Sequence, residues 1–216
     1  MKAVAIVSGG MDSVTLAYLL KSEGYDLHLL SFNYGQRHKK ELDFARIAAR
    51  NLGAKHSLID LSPIGSFLSG SALTDDIPIP DGHYAEETMK ITVVPNRNAI
   101  MLSIAYGVAV AEGADLVAAG VHAGDHFIYP DCRPAFIEAF DKMQRVAVEG
   151  FGSPELKLYA PFVSIGKHNI VEIGTALNVP YELTWSCYKG QALHCGTCGT
   201  CVERREAFEL AGVTDP

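Results

Sequence analysis

The feature that most constrains the fold is an apolar run near the start of the chain that leads directly into a glycine-rich turn. The run Ala3–Val7 is short and continuous, which is typical of a buried parallel strand. The turn reads Ser8-Gly9-Gly10-Met11-Asp12-Ser13, and the apolar residues after it predict a helix. Strand, glycine turn and helix N-terminus together favour an anion site, because unpaired helix amides point at a bound phosphate. An ordinary tight turn with a serine cap is the alternative.

Strand-like and helix-like segments alternate along most of the chain. The strand candidates are 3–7, 27–33, 55–60, 115–121 and 156–160. The helix candidates are 13–23, 38–51, 97–112, 133–149, 167–177 and a short last one at 202–211. This alternation predicts an α/β fold, a doubly wound and mainly parallel sheet with helices on both faces. Ligands of such sheets bind beyond the carboxyl ends of the strands, so the segments that follow the strands should meet in one crevice.

Length and periodicity suggest one main domain with a small appendage. The chain has 216 residues, enough for a sizeable core. We expect residues 1–180 to form this domain and residues 181–216, where the alternation stops, to form a small cysteine-rich segment packed on it. Residues 61–90 are rich in proline and glycine and show little periodicity, so part of this segment is expected to serve as a lid or substrate loop.

The charge balance narrows the class of partner. Lysine and arginine total 18 against 25 acidic residues, a net charge of −7. Proteins that hold nucleic acid through its phosphates usually present a basic face, so the balance favours a small-molecule substrate and no direct nucleic-acid partner. The apolar stretch 99–111 is too short to span a bilayer, and the chain enters a strand too early to leave room for a signal peptide. We therefore expect a cytoplasmic protein without membrane contact.

The cysteines are concentrated near the carboxyl terminus and predict a metal site. In a chain without an export signal, metal ligation is favoured over disulfides. Four thiolates suit a closed tetrahedral zinc site of the structural kind. They are supplied by Cys187, Cys195, Cys198 and Cys201. An iron–sulfur cluster has the same ligands and is the rival interpretation, and thiols without a metal are a third.

Two cations stand at predicted helix starts, where they oppose the helix dipole. Lys167 opens the helix candidate 167–177, and Arg97 opens 97–112 with Asn96 as the expected N-cap. A bound anion would explain both positions, and a guanidinium suits bidentate contact with phosphate or carboxylate. A surface lysine and simple capping are the alternatives.

A polar cluster follows the strand candidate 115–121. Within it, Asp131 and Arg133 are expected to contact substrate, whereas Cys132 is expected to be a small buried residue. A second metal site formed by His122 and His126 is an open alternative.

Together these motifs resemble those of the PP-loop ATP pyrophosphatases, which split ATP between its α and β phosphates. Within that group the chain resembles the QueC family of queuosine precursor synthesis. The resemblance covers nearly all of the chain. Its motifs are Ser8–Ser13, Tyr34–His38, Val94–Asn98, Tyr129–Arg133 and the cysteine cluster that follows Thr184-Trp185-Ser186.

The resemblance implies an adenine nucleotide alpha-hydrolase-like fold and a reaction with ATP. That reaction converts 7-carboxy-7-deazaguanine and ammonia to the 7-cyano product, through an adenylated carboxylate, an amide and an adenylated amide. A homodimer is also implied. The rival functions are another PP-loop amide-forming ligase, a tRNA-modifying enzyme and, from a different class, a zinc-ribbon nucleic-acid-binding module. The acidic balance opposes the last two.

The resemblance also assigns roles to residues of this chain. Asp12, Lys167 and Arg97 are the implied catalytic residues, and Asp12 is expected to help hold Mg²⁺. The four cysteines match the zinc ligands of the family. The stretch implied to bind ATP comprises Ser8, Gly9, Gly10, Met11, Asp12, Ser13, Val14, Thr15, Leu16, Ala17 and Tyr18. The candidates for substrate contact are Gln36, Arg37, Asp131 and Arg133.

Overall fold

A five-stranded parallel sheet forms the centre of the computed structural model, which describes residues 1–65, 67–84 and 87–216. Its strands are β1 (Lys2–Ile6), β2 (Asp26–Asn33), β3 (Lys55–Asp60), β4 (Leu116–Ala118) and β5 (Lys157–Tyr159). Their order in the sheet is β3-β2-β1-β4-β5, and every pair is parallel. The winding direction reverses between β1 and β4, and that reversal opens a crevice at the carboxyl ends of these strands.

Helices cover both faces of the sheet. They are α1 (Met11–Ser22), α2 (Lys40–Leu52), the single turn α3 (Ser62–Gly65), α4 (Arg97–Glu112), α5 (Pro134–Ala147), α6 (Lys167–Ala176) and α7 (Gly199–Ala211). Short 3₁₀ turns lie at Glu87–Thr92, Ala123–Phe127, Pro130–Cys132 and Tyr181–Leu183. One hydrophobic core is shared by α1, α2, α6 and α7, and a second by α4 and α5. The prediction of an α/β sheet with helices on both faces is confirmed.

The sequence of the central strand β1 is apolar throughout because both of its faces are buried. Ala3 and Ala5 pack into the first core, whereas Val4 packs into the second. A strand that is buried on both faces cannot alternate polar and apolar residues. The sequence pattern that predicted β1 is therefore a direct consequence of its central place.

Some predicted boundaries were wrong by a few residues. Strand β4 ends at Ala118 instead of continuing to residue 121, because the chain then turns across α1. A Cβ on Gly120 would lie 3.2 Å from the carbonyl oxygen of Asp12. Helix α1 begins at Met11 instead of 13, and α7 begins at Gly199 instead of 202.

The described part of the segment 61–90 is packed against the protein. Ala72 and Leu73 are buried, and Asp81 forms an isolated antiparallel bridge with Cys198. The segment contains α3 and the beginning of a 3₁₀ turn, so it is less irregular than its sequence suggested. Residues 66, 85 and 86 lie outside the described residues, and the expected lid remains a prediction.

The cysteine-rich end of the chain packs on the main body. Helix α7 lies against α6 and places Phe208 in the first core. The backbone amide of Trp185 donates to the carbonyl of Gly9 at 2.9 Å, which ties this segment to the glycine turn. The division at residue 180 remains a prediction. Among the described residues, no helix is both long and apolar enough to cross a membrane.

Candidate active site at the carboxyl ends of the strands

The glycine turn after β1 can be made only with glycine at its second position. Gly9 has a φ of +93°, in the region that L-residues rarely adopt. A Cβ there would lie 2.0 Å from the carbonyl oxygen of Glu41, in the first turn of α2. The turn and α2 are therefore in direct contact, and the sequence signal that found the turn has a steric cause.

Gly9→Ala is expected to lower the free energy of unfolding by about 2–5 kcal/mol, the sum of backbone strain and overpacking. Gly24→Ala is the matched control, because Gly24 has a φ of +85° but no atom of the described residues within 4 Å of its added Cβ. Gly24→Ala should lower the free energy of unfolding only by the cost of backbone strain, about 1–2 kcal/mol. Urea unfolding measures the free energy of unfolding of both variants. An equal decrease in the two would contradict the view that a side chain at position 9 clashes with Glu41.

The turn presents hydroxyls and amides to the crevice. The Ser13 hydroxyl donates to the carbonyl of Gly10 at 3.1 Å and lies 3.2 Å from the hydroxyl of Ser8. Among the residues that the structure describes, no side chain caps the N-terminus of α1, so its first amides remain open to a ligand. The arrangement suits an oxyanion such as a phosphate.

Lys167, the first residue of α6, reaches across to the turn. Its ammonium lies 3.2 Å from Oδ2 of Asp12 and 2.5 Å from Oε2 of Glu203. Burial alone would lower the pKa of Lys167, but the carboxylates of Asp12 and Glu203 hold this pKa well above its usual range. The lysine therefore stays charged beside the turn, and the anion that its position at a helix start suggested remains a prediction.

His122 lies behind this ion pair and is buried. Its Nδ1 accepts from the amide of Gly124 at 3.1 Å, so that Nε2 carries the proton. Nε2 lies 3.6 Å from Asp125, 3.8 Å from Glu203 and 3.9 Å from Asp12. Within the described ranges the four-cysteine group alone has metal-ligand geometry, and His122 forms no such group with His126.

Two adjoining cavities open on the turn. The first, called the Lys167 cavity, has a volume of about 150 Å³ and extends from Lys167 to Trp185 and Tyr84. The second, called the Arg97 cavity, has a volume of about 240 Å³ and lies over the ends of β1 and β2. Both are lined by Ser8, Gly10, Asp12, Glu41, Asp125, Tyr129 and Tyr188.

Arg97, the first residue of α4, supplies the positive charge of the second cavity. Its guanidinium donates to the hydroxyl of Tyr34 at 3.2 Å and lies 5.3 Å from the centre of that ring. Burial raises the pKa of Tyr34 to about 12, so this partner remains neutral. Among the described residues, no carboxylate comes within 4 Å of the guanidinium. A bound anion would supply the missing partner.

The start of α4 is capped differently from the expectation. Asn96 adopts a φ of +56°, and its side chain makes no capping bond within the described part of the chain. Instead Asp131 accepts from the backbone amide of Asn98 at 3.1 Å. The neighbouring Cys132 is buried, and burial raises the pKa of its thiol, in keeping with a packing role.

The four candidates for substrate contact lie outside the two larger cavities. Gln36 is buried and donates to the carbonyl of Phe32 and to Glu41. Arg37 is held at the surface by Asp76, and Arg133 donates to the carbonyl of His126. Their assignment to substrate remains a prediction.

The implied ATP-binding stretch divides between the crevice and the core. The crevice is lined by Ser8, Gly10, Asp12 and Ser13, and Met11 lines the Lys167 cavity. The next residues of α1 face the protein interior and are buried, namely Val14, Thr15, Leu16 and Ala17. Tyr18 is partly buried against the first core.

Glu41 and Glu203 are cavity residues that sequence reasoning missed. Glu41 shares α2 with the exposed Asp43, and Glu203 shares α7 with the half-buried Glu206 and the exposed Glu209, so neither has a local signal. Burial raises the pKa of Glu41 to about 7, while the charge of Arg97 and a bond from Gln36 act against a larger rise. The position of Glu203 could have been inferred only by counting helical turns from the cysteines into α7.

The four cysteines come together as their spacing predicted. Their sulfurs all lie within 4.8 Å of one another, and none forms a disulfide. Backbone amides point at the sulfurs. The amide of Lys189 donates to Cys187 at 3.4 Å, and that of Cys198 to Cys195 at 3.3 Å. Four thiols gathered at this distance, with amides donating to the sulfurs, suit a metal ion.

A family model settles the relationship of the chain to known proteins. The model, described as "Queuosine biosynthesis protein QueC", matches residues 2–212. The chain belongs to the QueC family. This QueC-family chain therefore carries its glycine turn, cavities and cysteine cluster within a single matched region.

Individual relatives agree with this membership. The QueC-family chain is 64% identical over 216 residues to the 7-cyano-7-deazaguanine synthase of Allorhizobium ampelinum, covering 100% of this chain and 91% of that protein. It is 62% identical to the synthase of Brucella ovis, with 100% and 92% coverage. Among solved structures, NMN synthetase from Francisella tularensis has a TM-score of 0.55 at 18% identity, covering 99% of this chain and 78% of that chain. This last likeness concerns the fold.

Proposed function

We propose that this chain is a 7-cyano-7-deazaguanine synthase, which makes its nitrile from 7-carboxy-7-deazaguanine, ammonia and ATP. The observation that carries the proposal is identity above 60% over the full length to proteins of that name. The site agrees with the chemistry, since a phosphate-binding turn and two cations surround cavities large enough for small molecules. The ligase class follows from the use of ATP to join carbon to nitrogen.

The glycine turn supports the first chemical step. A carboxylate oxygen is a poor leaving group, so the substrate carboxylate attacks the α-phosphate of ATP and releases pyrophosphate. In the proposed arrangement the amides and hydroxyls of Ser8–Ser13 hold the pyrophosphate, and Lys167 neutralises the charge that develops on it. Such preorganised donors stabilise a transition state without reorganisation. Arg97 is proposed to hold the α-phosphate or the attacking carboxylate from the second cavity.

The later steps repeat this activation on the same substrate. Ammonia displaces AMP from the adenylated carboxylate and gives the amide. A second ATP adenylates the amide oxygen, and loss of AMP leaves the nitrile. The protein contributes mainly position and charge in both rounds.

Mg²⁺ is proposed as a partner of ATP, and the site fits it. Oδ1 of Asp12 is buried without a hydrogen-bond partner among the described residues, although its Oδ2 faces Lys167. An unpartnered carboxylate oxygen beside a phosphate site is a ligand that Mg²⁺ prefers. When bound, the ion would offset the charge of the phosphates.

Zinc is proposed as the metal of the cysteine cluster, in a structural role. The cluster adjoins the crevice through two elements. Trp185 bonds to the glycine turn and lies under the ammonium of Lys40, 3.7 Å from the ring centre. Cys198 stands at the N-cap of α7, the helix that presents Glu203 to Lys167. A metal there would fix the wall of the Lys167 cavity.

The proposal also covers the partners of the enzyme, its oligomeric state and its place in the cell. The substrates are small molecules, free ammonia enters from solution, and no nucleic acid or membrane takes part. The enzyme is proposed to act in the cytoplasm as a homodimer.

Product analysis tests the proposed function. The enzyme is incubated with ATP, ammonium chloride and 7-carboxy-7-deazaguanine, with and without tRNA. We expect the nitrile base, AMP and pyrophosphate in both mixtures at equal rates. Cleavage of ATP that depends on tRNA, or an amide as the final product, would contradict the proposal.

A further inference from the structure

The proposed reaction needs a base that the glycine turn does not supply. Ammonium, the form of ammonia that prevails at neutral pH, has four N–H bonds, and the nitrogen of a nitrile has none. Two of these protons leave on the way to the amide and two on the way to the nitrile. A positioned general base accelerates such transfers by about 10²–10⁴-fold.

Most carboxylates of the two cavities already have cationic or histidine neighbours. Asp12 and Glu203 face Lys167, and Asp125 lies 3.6 Å from Nε2 of His122. Glu41 differs from them. Among the described residues it has no cation within 4 Å, and its hydrogen-bond donor is the amide of Gln36 at 3.3 Å.

Glu41 also has the right place. It lines both the Lys167 cavity and the Arg97 cavity, together with Ser8 and Gly10 of the glycine turn. Its own backbone touches Gly9, so the side chain projects from α2 beside the phosphate site. A group bound between the two cavities would therefore lie beside this carboxyl.

The surroundings of Glu41 support proton transfer near neutral pH. Burial raises its pKa to about 7, and the positive charge of Arg97 limits the rise. A group of this kind can accept a proton and release it again. The titratable and charged groups that share its cavities from other elements are Asp12, Tyr34, Tyr84, Arg97, Asp125, Tyr129, Cys132, Lys167, Tyr188 and Glu203.

We propose that Glu41 is the general base that removes protons from the nitrogen nucleophile, an inference that rests on the proposed function. The Glu41 carboxylate takes a proton from ammonium, the freed lone pair forms the C–N bond, and the C–O bond to AMP breaks with its electron pair on AMP. A second N–H proton follows and leaves the amide. After adenylation of the amide oxygen with loss of the third proton, Glu41 takes the fourth as AMP departs and the nitrile forms. Each proton passes to water before the next transfer.

Glu41→Gln tests this role, because the amide has the same size but cannot accept the proton. Without ammonium, a single turnover of ATP and 7-carboxy-7-deazaguanine should still release a burst of pyrophosphate, since the ionised substrate carboxylate needs no base. Formation of amide and nitrile should fall by about 10²–10⁴-fold. Asp43→Asn is the control, because Asp43 lies on the exposed side of the same helix and should leave both rates unchanged.

The pH profile gives a second readout. For the wild type, kcat/KM for ammonium should rise with pH and level off above about 7, because only ionised Glu41 accepts a proton. In Glu41→Gln the rise below pH 7 should disappear. The value of kcat/KM should instead keep rising towards the much higher pKa of free ammonium. Wild-type nitrile formation in the variant, or loss of its pyrophosphate burst, would overturn the role. A wild-type enzyme without any burst on this substrate would instead overturn the proposed function.

Discussion

Asp12→Asn is expected to all but abolish the turnover of ATP to pyrophosphate, with a loss of about 10²–10³-fold, the scale of removing one preorganised electrostatic group from an active site. The substitution removes the negative charge beside Lys167 and leaves at most a neutral amide oxygen where a carboxylate oxygen is proposed to meet Mg²⁺. Release of pyrophosphate, measured under single turnover with 7-carboxy-7-deazaguanine, reports the effect.

The fold should survive this change. Asp12 lies in the first turn of α1 and its side chain is 22% exposed, so an amide fits without a cavity. The circular dichroism spectrum should match that of the wild type, while the melting temperature should fall somewhat, because buried Lys167 keeps Glu203 but loses one of its two carboxylate partners. Asp26→Asn, at an exposed position at the start of β2, is the control and should keep full activity. Full pyrophosphate release by Asp12→Asn would rule out the assigned role.

Cys198→Ser is expected to lower bound zinc and the yield of folded protein together. A structural zinc of this kind contributes folding energy directly, on the order of 10 kcal/mol in small zinc peptides, so loss of one thiolate is severe. Cys198 is fully buried and starts α7, so the damage should reach Glu203 and the Lys167 cavity. Metal analysis of purified protein and the soluble yield measure the effect.

Cys132→Ser provides the comparison for a thiol outside the cluster. Cys132 is buried beside Asn98 and is not part of the four-cysteine group, so its replacement should leave the proposed zinc at about one per chain. Iron in place of zinc in the wild type would favour the iron–sulfur interpretation. A stable and fully active Cys198→Ser protein without zinc would contradict the structural role.

The fold was predictable because its local signals agree with its tertiary environment. β1 is apolar throughout since both faces are covered, and α2 and α5 separate apolar from polar residues along their length. The errors occur where tertiary contact decides the boundary. β4 ends early because Gly120 must pass against Asp12, a contact that no local pattern contains.

The candidate site was predictable where chemistry leaves a local anomaly. A cation at a helix start is unusual, and both Lys167 and Arg97 were found by that anomaly. Four clustered cysteines are equally conspicuous. Glu41 and Glu203 look like ordinary helical surface acids, and only the packing of α2 and α7 turns them toward the crevice. Conversely, the surface pairing of Arg37 with Asp76 cannot be seen from its motif.

The fate of the substrate's carboxylate oxygens tests the central claim most directly, namely that ATP is cleaved twice at its α-phosphate on the same substrate. The enzyme is given 7-carboxy-7-deazaguanine with ¹⁸O in both carboxylate positions, and the products are analysed by mass spectrometry. We predict two AMP per nitrile and one ¹⁸O in every AMP, because each oxygen leaves carbon attached to an α-phosphate. Unlabelled AMP, or ¹⁸O in inorganic phosphate, would contradict the account.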